Sequence, residues 1–371
     1  MTFYFIPFIF LAVLTSLESS KRLNFFAQSK LIYSFIALFF IIFIGLRYEI
    51  GCDWEQYKAM FEKYEFISIS DIFKRNFIEE DNLQKYHELG HIFITKISQN
   101  IYILNLIYSI LFSLPLFYFC SKLKRKYFSL LISYPYYVIV VGMGPIRQAA
   151  CISFLMLSIL FISNKKYYSH LFLSIISLLI HQFSIIFNTL ILGSLLTKLR
   201  SIKLSKLNTF LLIIVFIVFT FCLPSIISKT HTYFTFYKKI DSDGVMIMPP
   251  AKSAILLWIM NLMPSIIFLK NKKIFKINDN LKNILSIFSV LEICLLPIVL
   301  IQSVIGYRLI LYLFPNSIYI TSLIPDLNIL NIKKTYMVNF FILISFTILI
   351  TWLRFAYHSS CWVPYKNILF N

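Results

Sequence analysis

Long apolar runs, separated by short stretches of charge and proline, repeat along almost the whole chain. They fall at about residues 2–17, 31–46, 101–119, 128–141, 147–163, 167–180, 183–197, 209–223, 253–269, 283–301, 309–323 and 336–354. A helix that crosses a bilayer needs roughly 20 mostly apolar residues. Several runs are shorter than that, so the pattern predicts an all-α, polytopic membrane protein with about 10–13 transmembrane helices.

The run at 167–197 has basic residues at both of its ends. A single membrane-spanning helix cannot begin and end on the same side, so we predict a short helical hairpin here. Its tip, at His181 and Gln182, would point outward. Backbone that leaves the helix at membrane depth has to pack inside protein or line a wet cavity.

Basic residues on alternate connections predict the orientation of the chain. Six short connections carry 20 of the 35 Lys and Arg residues. They lie at 21–30, 122–126, 164–166, 198–206, 270–282 and 331–334. Because cytoplasmic loops are enriched in Lys and Arg, these connections are predicted to be cytoplasmic. The whole chain, 1–371, then forms one integral membrane domain, with a periplasmic segment at about 47–100 and a smaller outer loop at about 229–252.

Composition supports a membrane protein and argues against a nucleic-acid-binding one. The chain is 59% hydrophobic and 14% charged, whereas soluble domains are about 45–50% apolar and about 25% charged. The net charge of +19 lies mostly between apolar runs, where it acts as a topology signal. The six cysteines show no CxxC or metal-ligand spacing, so we expect small buried hydrophobic residues.

Aromatic residues after the second run recur at three- and four-residue spacing. They are Trp54, Tyr57, Phe61 and Tyr64. This spacing predicts an amphipathic helix that lies on the membrane surface.

Isolated ionisable residues stand at the predicted outer ends of four different spans. They are Arg47, Arg147, His181 and Arg308. Each has an ordinary explanation, because an Arg at a helix end commonly reaches the headgroups and a lone His is commonly structural. As a set they indicate function, since ionisable residues at membrane depth are costly. Three guanidinium groups on one leaflet suit a phosphate or pyrophosphate, which suggests a lipid-linked substrate.

Residues 87–91 read His-Glu-Leu-Gly-His and match the zinc-protease pattern H-E-x-x-H. On a helix that spacing places two imidazoles on one face, with Glu88 beside them to activate a zinc-bound water. A catalytic zinc needs a third protein ligand. The metzincin continuation would supply a glycine and a histidine, but this chain has Ile94 and Ile97 there. We therefore predict no metal site and retain the protease only as an alternative.

A series of short motifs, in order along the chain, resembles the EpsG family of bacterial polysaccharide polymerases, which includes many Wzy-type O-antigen polymerases. The motifs are Gly45-Leu46-Arg47-Tyr48, Gly51-Cys52-Asp53-Trp54 with Tyr57, Glu88-Leu89-Gly90, Arg147-Gln148-Ala149, His181 in LLIHQFSIIF, Arg308 with Tyr312, and the tail from Trp362 to Tyr365. The resemblance runs from about residue 30 to 370.

The resemblance implies a GT-C-like glycosyltransferase of the bacterial inner membrane, active on its periplasmic face. Such an enzyme moves a growing glycan from one undecaprenyl pyrophosphate onto a lipid-linked repeat unit, to build O-antigen or a related surface polysaccharide. No cofactor is implied. Expected partners are the undecaprenyl-pyrophosphate-linked oligosaccharides, the lipid bilayer, a chain-length regulator and a flippase.

Glycosyl transfer needs a base for the acceptor hydroxyl and cations for the leaving pyrophosphate. For the base we expect Asp53 first, then His181 and then Glu88, although Asp53 equally suits a helix N-cap. For the pyrophosphates we expect Arg147 and Arg308, with Arg47 as a third donor. Expected contacts to sugar or lipid are Trp54, Tyr57, Gln148 and Tyr312, whereas Trp362 and Tyr365 suit interface anchors.

Two further functions compete with polymerisation besides the zinc protease. An O-antigen ligase, or another glycosyltransferase that uses lipid-linked sugars, would employ the same chemistry. A flippase for the same lipid-linked oligosaccharide would be built from paired repeats with charges inside its spans. No repeat is visible in this sequence.

Overall fold

The computed structural model describes residues 1–19, 29–65, 88–196, 253–327 and 332–369, and these ranges are built from helices joined by short turns. The helices are α1 (Thr2–Ser19), α2 (Lys30–Gly45), α3 (Trp54–Glu65), α4 (Leu89–Ile97), α5 (Ile101–Lys122), α6 (Lys126–Ser133), a π-helix (Tyr134–Val141), α7 (Ile146–Ser163), α8 (Tyr167–Ile180), α9 (Ser184–Leu196), α10 (Ser253–Lys270), α11 (Asp279–Cys294), α12 (Leu296–Ile301), α13 (Ser303–Leu311), α14 (Phe314–Leu323) and α15 (Lys334–Phe355), with 3₁₀ turns at Ile324–Asp326 and Ser359–Cys361. The all-α prediction is confirmed.

Among the described residues, five helical segments are long and apolar enough to cross a membrane: α1, α5, α7, α11 with α12, and α15. Burial differs among them. Helix α7 is largely buried, whereas α15 exposes large apolar side chains such as Phe340 and Leu343. Exposed apolar surface of this extent suits lipid better than water. The chain is therefore a multi-pass membrane protein, as its hydropathy predicted. The full number of spans stays a prediction, because the run at 209–223 and the loop at 229–252 lie outside the described residues.

The predicted hairpin at 167–197 is present. Helix α8 ends where His181 adopts an extended conformation, and α9 begins three residues later at Ser184. Backbone hydrogen bonds close the turn, from the N–H of His181 to Ser177 and from that of Ser184 to His181. The side of the membrane toward which this tip points stays a prediction.

Two apolar runs that we expected to form single spans are interrupted. The run at 283–301 divides at Leu295 into α11 and α12. Pro297 stands in the first turn of α12, where its missing N–H costs nothing because the first amides of a helix have no partner within it. The run at 309–323 divides at Tyr312 and Leu313, between α13 and α14.

The described chain forms two compact units. Unit 1 comprises Met1–Arg75, Leu89–Leu157 and Ile318–Asn371, and unit 2 comprises Asn76–Glu88 and Ser158–Ser317. The chain passes between the units inside α7, inside α14 and after Glu88. That 1–371 is a single integral domain stays a prediction.

Within unit 1, hydrogen bonds and an ion pair of charged side chains join three elements at one end of the helices. The Glu18 carboxylate accepts the first amides of α6, from Tyr127 and Phe128, as an anion at a helix N-terminus should. Arg125 donates two hydrogen bonds to Asp326, at 2.7 and 3.2 Å. Burial alone would raise the pKa of Asp326, but the hydrogen bonds and charge of Arg125 hold it below its usual value.

The same aspartate also gathers two of the basic connections. Lys124 and Lys334 lie 3.1 and 3.4 Å from its carboxylate oxygens. These lysines belong to the connections at 122–126 and 331–334, which we predicted to share the cytoplasmic side. Their common partner places the two connections together, as that orientation requires.

Candidate functional site

Arg147 follows an unusual stretch of backbone in unit 1. The π-helix Tyr134–Val141 is buried at all eight positions, and short π-helical segments occur frequently at functional sites. The chain then turns through Gly144, where an added Cβ would lie 2.8 Å from the carbonyl oxygen of Val140. Arg147 comes three residues later, as the second residue of α7.

The surroundings of Arg147 favour an anion. Its guanidinium lies 5.5 Å from the centre of the Tyr57 ring, and the side chain is half-buried. The N-terminus of a helix carries a partial positive charge, so a further cation in the first turn of α7 is unfavourable by itself. Amides at such a terminus are common binding groups for phosphate, and Arg147 adds a two-pronged donor beside them.

The loop that carries Asp53 packs directly on the loop before α7. Gly51 has a φ of +99°, and a Cβ at this position would lie 2.1 Å from the carbonyl oxygen of Met143. Only glycine fits both the conformation and the space. Asp53 is half-buried next to this contact, so the fold brings the Asp53 loop and the Arg147 loop together.

Arg47 is buried, with an exposed fraction of 1%. Its guanidinium donates to the carbonyl oxygens of Ile44 and Ile50 and to the side-chain oxygen of Asn105, at 2.8–3.1 Å. Burial lowers the pKa of Arg47 to about 10, and neighbouring acidic groups, Tyr57 first and Asp53 among them, act in the opposite direction. The side chain therefore fixes the backbone that leads from α2 into the Asp53 loop.

The aromatic face of α3 packs against protein. Trp54, Tyr57 and Tyr64 are buried, and Trp54 contacts the Tyr102 ring at 6.1 Å and the Arg47 guanidinium at 5.9 Å. The amphipathic helix was predicted correctly, and its apolar face packs on α4 and α5. Its position on the membrane surface stays a prediction. A sugar contact for Trp54 or Tyr57 stays a prediction.

A disulfide joins Cys52, beside Asp53, to Cys361 in the C-terminal tail. The expectation that all six cysteines are small hydrophobic residues was therefore wrong for this pair. It was right for Cys120 and Cys151, which are buried. Cys294 is exposed, and Cys222 lies outside the described residues.

The tail beyond the disulfide is packed into unit 1. Trp362 donates from its indole nitrogen to the carbonyl oxygen of Ile139 in the π-helix, and the Tyr365 hydroxyl donates to Phe43. Both aromatic side chains are buried, so their predicted role as membrane-interface anchors was wrong. Asn367 forms an isolated antiparallel bridge with Arg47. The tail thus holds the Asp53 loop in place.

Unit 2 contains a carboxylate–imidazole pair at the tip of the hairpin. Glu88 Oε1 lies 3.0 Å from His181 Nδ1 and also accepts the backbone N–H of Gln182 at 3.2 Å. The Glu88 side chain is 2% exposed, whereas that of His181 is 17% exposed. The pair therefore combines a buried carboxylate with an imidazole that remains partly accessible.

Tyr312 and Arg308 belong to the same unit as this pair. The Tyr312 ring lies 6.4 Å from that of His181 and stacks on Phe187 at 4.6 Å. Arg308, half-buried in the last turn of α13, precedes Tyr312 by four residues. Side chains four apart share one face of a helix, so Arg308 extends from the side of α13 that leads to Tyr312.

The model of the EpsG family matches residues 30–367. The chain belongs to the EpsG family. No curated protein and no solved structure matches it. Membership in the EpsG family supports a polysaccharide polymerase of the membrane-glycosyltransferase kind, in polysaccharide biosynthesis. The matched range contains all ten of the residues that we predicted for the site.

In this EpsG-family chain, the described part of the zinc-protease pattern, 88–91, is not helical throughout. Helix α4 begins at Leu89, so Glu88 precedes it, and Glu88 is engaged by His181. His91 is buried and its Nδ1 lies 2.8 Å from the Tyr108 hydroxyl. His87 lies outside the described residues. In the described part of the chain, Cys52, His358 and Cys361 form the one group with metal-ligand spacing, and its two sulfurs are bonded to each other.

Two structural features of the candidate site could not be predicted from the sequence. Asn105, which holds Arg47, lies 58 positions away along the chain, and its N-terminal position in an apolar helix gave no signal. The disulfide joins residues separated by 309 positions. The one available signal was that Cys52 and Cys361 both lie in polar segments, whereas the other four cysteines lie in apolar runs.

Proposed function

We propose that this protein is a bacterial inner-membrane polymerase that joins oligosaccharide repeat units carried on undecaprenyl pyrophosphate. A hydroxyl of the incoming repeat unit attacks C1 of the sugar at the reducing end of the growing chain. A glycosidic bond forms at C1, the bond from C1 to the pyrophosphate oxygen breaks, and undecaprenyl pyrophosphate leaves with the electron pair. The pair of Glu88 and His181 is the observation that carries this proposal.

His181 is the proposed base for the acceptor hydroxyl. When ionised Glu88 accepts a hydrogen bond from the Nδ1–H of His181, Nε2 is the basic nitrogen of the ring and would take up the hydroxyl proton. A buried carboxylate that orients a histidine is a recurring arrangement for general bases. Glu88 is then a positioning residue, and the order of the three candidate bases changes, with His181 ahead of Asp53.

Arg308 is the proposed partner of the leaving pyrophosphate. It lies in the same unit as His181 and on the face of α13 that leads to Tyr312. A fixed guanidinium neutralises the charge that develops on the leaving group as the bond from C1 breaks. The Tyr312 side chain would lie between His181 and the Arg308 guanidinium.

Arg147 is the proposed ligand of a second pyrophosphate, since both donor and acceptor carry one. The helix N-terminus and the Tyr57 ring support this role. Arg47 is better suited to shaping the Asp53 loop, because protein acceptors bind three of its nitrogens. Gln148 is buried next to Arg147 and is proposed to orient the first turn of α7.

The disulfide supports a periplasmic position for the Asp53 loop and the tail. Disulfides persist in the periplasm and are rare in the cytosol. The basic connections independently predicted these two segments to lie on the outer side. We therefore propose that the active face is periplasmic, where a flippase would deliver the repeat units and a chain-length regulator would limit the polymer.

Purified protein in proteoliposomes, supplied with a lipid-linked repeat unit, tests the proposal directly. We expect polymer from the wild type and its loss in His181→Ala. His358→Ala, which changes an exposed histidine, should retain activity. Loss in Asp53→Asn together with full activity in His181→Ala would move the base to Asp53.

The polysaccharide of a gene-deletion strain separates polymerase from ligase. On a gel, a polymerised polysaccharide gives a ladder of bands that differ by one repeat unit. Loss of this ladder, with retention of the band for the lipid core carrying one repeat unit, supports polymerisation, because flipping and ligation still occur. Loss of every band in which the core carries repeat units would favour the ligase or the flippase. An unchanged ladder would contradict all three functions.

A further inference from the structure

Unit 2 contains a buried carboxylate that the proposed reaction does not use. Glu292 stands in α11, within a segment long and apolar enough to span a membrane, and its side chain is fully buried. Within the described residues, no hydrogen-bond donor lies near either carboxylate oxygen. An ionised carboxylate buried without a positive partner costs several kcal/mol, and ionisable groups at this depth usually mark a function.

Neutral polar side chains lie about one helical turn from Glu292. Ser289 precedes it by three residues, on the same face of α11. The side-chain nitrogen of Asn316 lies 3.2 Å from Ser289 Oγ and 3.2 Å from Ser265 Oγ. All three of these side chains are buried. Asn316 thereby connects α10 to α11 one helical turn from the carboxylate.

The register of α10 against α11 extends this cluster to Asn261. The Trp258 indole on α10 donates to the backbone oxygen of Glu292 on α11 at 2.6 Å. Further along α10, Ser265 lies opposite Ser289, because Asn316 binds both hydroxyl oxygens. Asn261 stands between Trp258 and Ser265 on α10, and it is 2% exposed. The interface between the two helices therefore contains a continuous polar cluster inside an apolar bundle.

Several polar atoms of this cluster have no hydrogen-bond partner among the described residues. They are both carboxylate oxygens of Glu292, the side-chain oxygen of Asn316 and the side-chain nitrogen of Asn261. Glu292 is the ionisable member of the cluster, and one ionised carboxylate among neutral oxygens matches a single positive charge.

We propose that Glu292, Ser289, Asn316 and Ser265 form a binding site for one monovalent metal cation such as Na⁺. The cation neutralises the carboxylate and joins α10, α11 and the start of α14 through oxygen ligands. Asn261, on the facing helix α10, lies at the edge of this site. The site lies within unit 2 and is independent of the proposed glycosyl transfer.

Thermal unfolding of the detergent-purified protein in NaCl and in choline chloride of equal ionic strength tests the site. We expect a saturable rise in Tm of several degrees with NaCl alone. Glu292→Gln should abolish that rise, whereas Asp279→Asn, the same charge change at the exposed start of α11, should retain it. An equal Tm in both salts, or a retained rise in Glu292→Gln, would overturn the proposal.

Two further measurements keep the test decisive. Radioactive ²²Na⁺ should bind the wild type saturably, at about one ion per chain, and no saturable binding would overturn the proposal even if Glu292→Gln failed to fold. A protein stabilised by lower pH in choline chloride, with no response to Na⁺, would show that a proton takes this place, and the metal site would be rejected.

Discussion

Glu88 and His181 are 93 positions apart in the chain, yet Oε1 of the glutamate lies 3.0 Å from Nδ1 of the histidine. The same oxygen accepts the backbone N–H of Gln182, so Glu88 fixes both the ring and the hairpin turn that carries it. This relationship gives the histidine an orientation that a residue at a bare hairpin tip would not have.

Glu88→Gln should lower polymerisation by about two to four orders of magnitude, because general-base catalysis and its orientation contribute on that scale. A glutamine can still form a hydrogen bond with Nδ1. It carries no negative charge, however, so it stabilises the imidazolium less well. The turnover number should fall more than the KM for the lipid-linked substrate rises. Glu49→Gln, at an exposed carboxylate of unit 1, is the control and should leave both constants unchanged. A normal turnover number in Glu88→Gln would reject the positioning role.

Arg147→Ala should abolish polymer formation while the protein still folds and inserts. Arg147→Lys should restore little activity, because a lysine is a point charge without the two-pronged geometry of the guanidinium. The measurement is polymer yield together with the amount of folded protein in the membrane. Near-normal activity in the alanine variant would end this assignment.

Arg47→Ala provides the contrast, since Arg47 is buried and bound to three protein acceptors. Its removal leaves those acceptors without a donor, at a cost of about 1–3 kcal/mol for each buried group. We expect this variant to lose folded protein before it loses specific activity. A stable but inactive Arg47→Ala protein would instead support a direct contact to substrate.

Gly51→Ala should destabilise the Asp53 loop, because alanine disfavours the φ of +99° and its Cβ would meet Met143 backbone. We expect a lower Tm and lower activity together. Gly193→Ala is the matched control: nothing lies within 4 Å of its added Cβ, and alanine favours a helix by about 1 kcal/mol over glycine. Equal behaviour of the two variants would contradict the described loop packing.

The disulfide between Cys52 and Cys361 should determine thiol labelling from outside the cell. A membrane-impermeant maleimide should leave these cysteines unlabelled in intact spheroplasts and label them after mild reduction. In a Cys361→Ser variant, Cys52 should be labelled without reduction. Labelling only after the membrane is permeabilised would place this face in the cytoplasm and reverse the proposed orientation.

Hydropathy alone located most of the helices. The apolar runs at 2–17, 101–119 and 147–163 correspond to α1, α5 and α7 within a few residues, because insertion into lipid depends on the local apolar character of the chain. The hairpin followed from charge, since a run with basic residues at both ends needs a turn. The ordered motifs were likewise sufficient to indicate the EpsG family.

Burial and pairing depended on the tertiary structure. Arg47 and Arg147 looked equivalent as arginines at span ends, but Arg47 is enclosed by Ile44, Ile50 and Asn105, whereas Arg147 remains half-exposed. The aromatic face of α3 could have faced lipid or protein, because both environments are apolar. Hydropathy cannot separate these two cases.

The sequence by itself determined that the chain is a helical membrane protein, and it identified the ionisable residues that such a protein would retain only for a reason. The tertiary structure alone decided that Glu88 orients His181, that Cys52 bonds to Cys361, and that Asn316 joins Ser265 and Ser289 across helices. The physical reason is that a hydropathy pattern reports only on residues that are close together in the sequence. A hydrogen bond or disulfide between residues 93 or 309 positions apart forms only when packing of the whole bundle has brought them together.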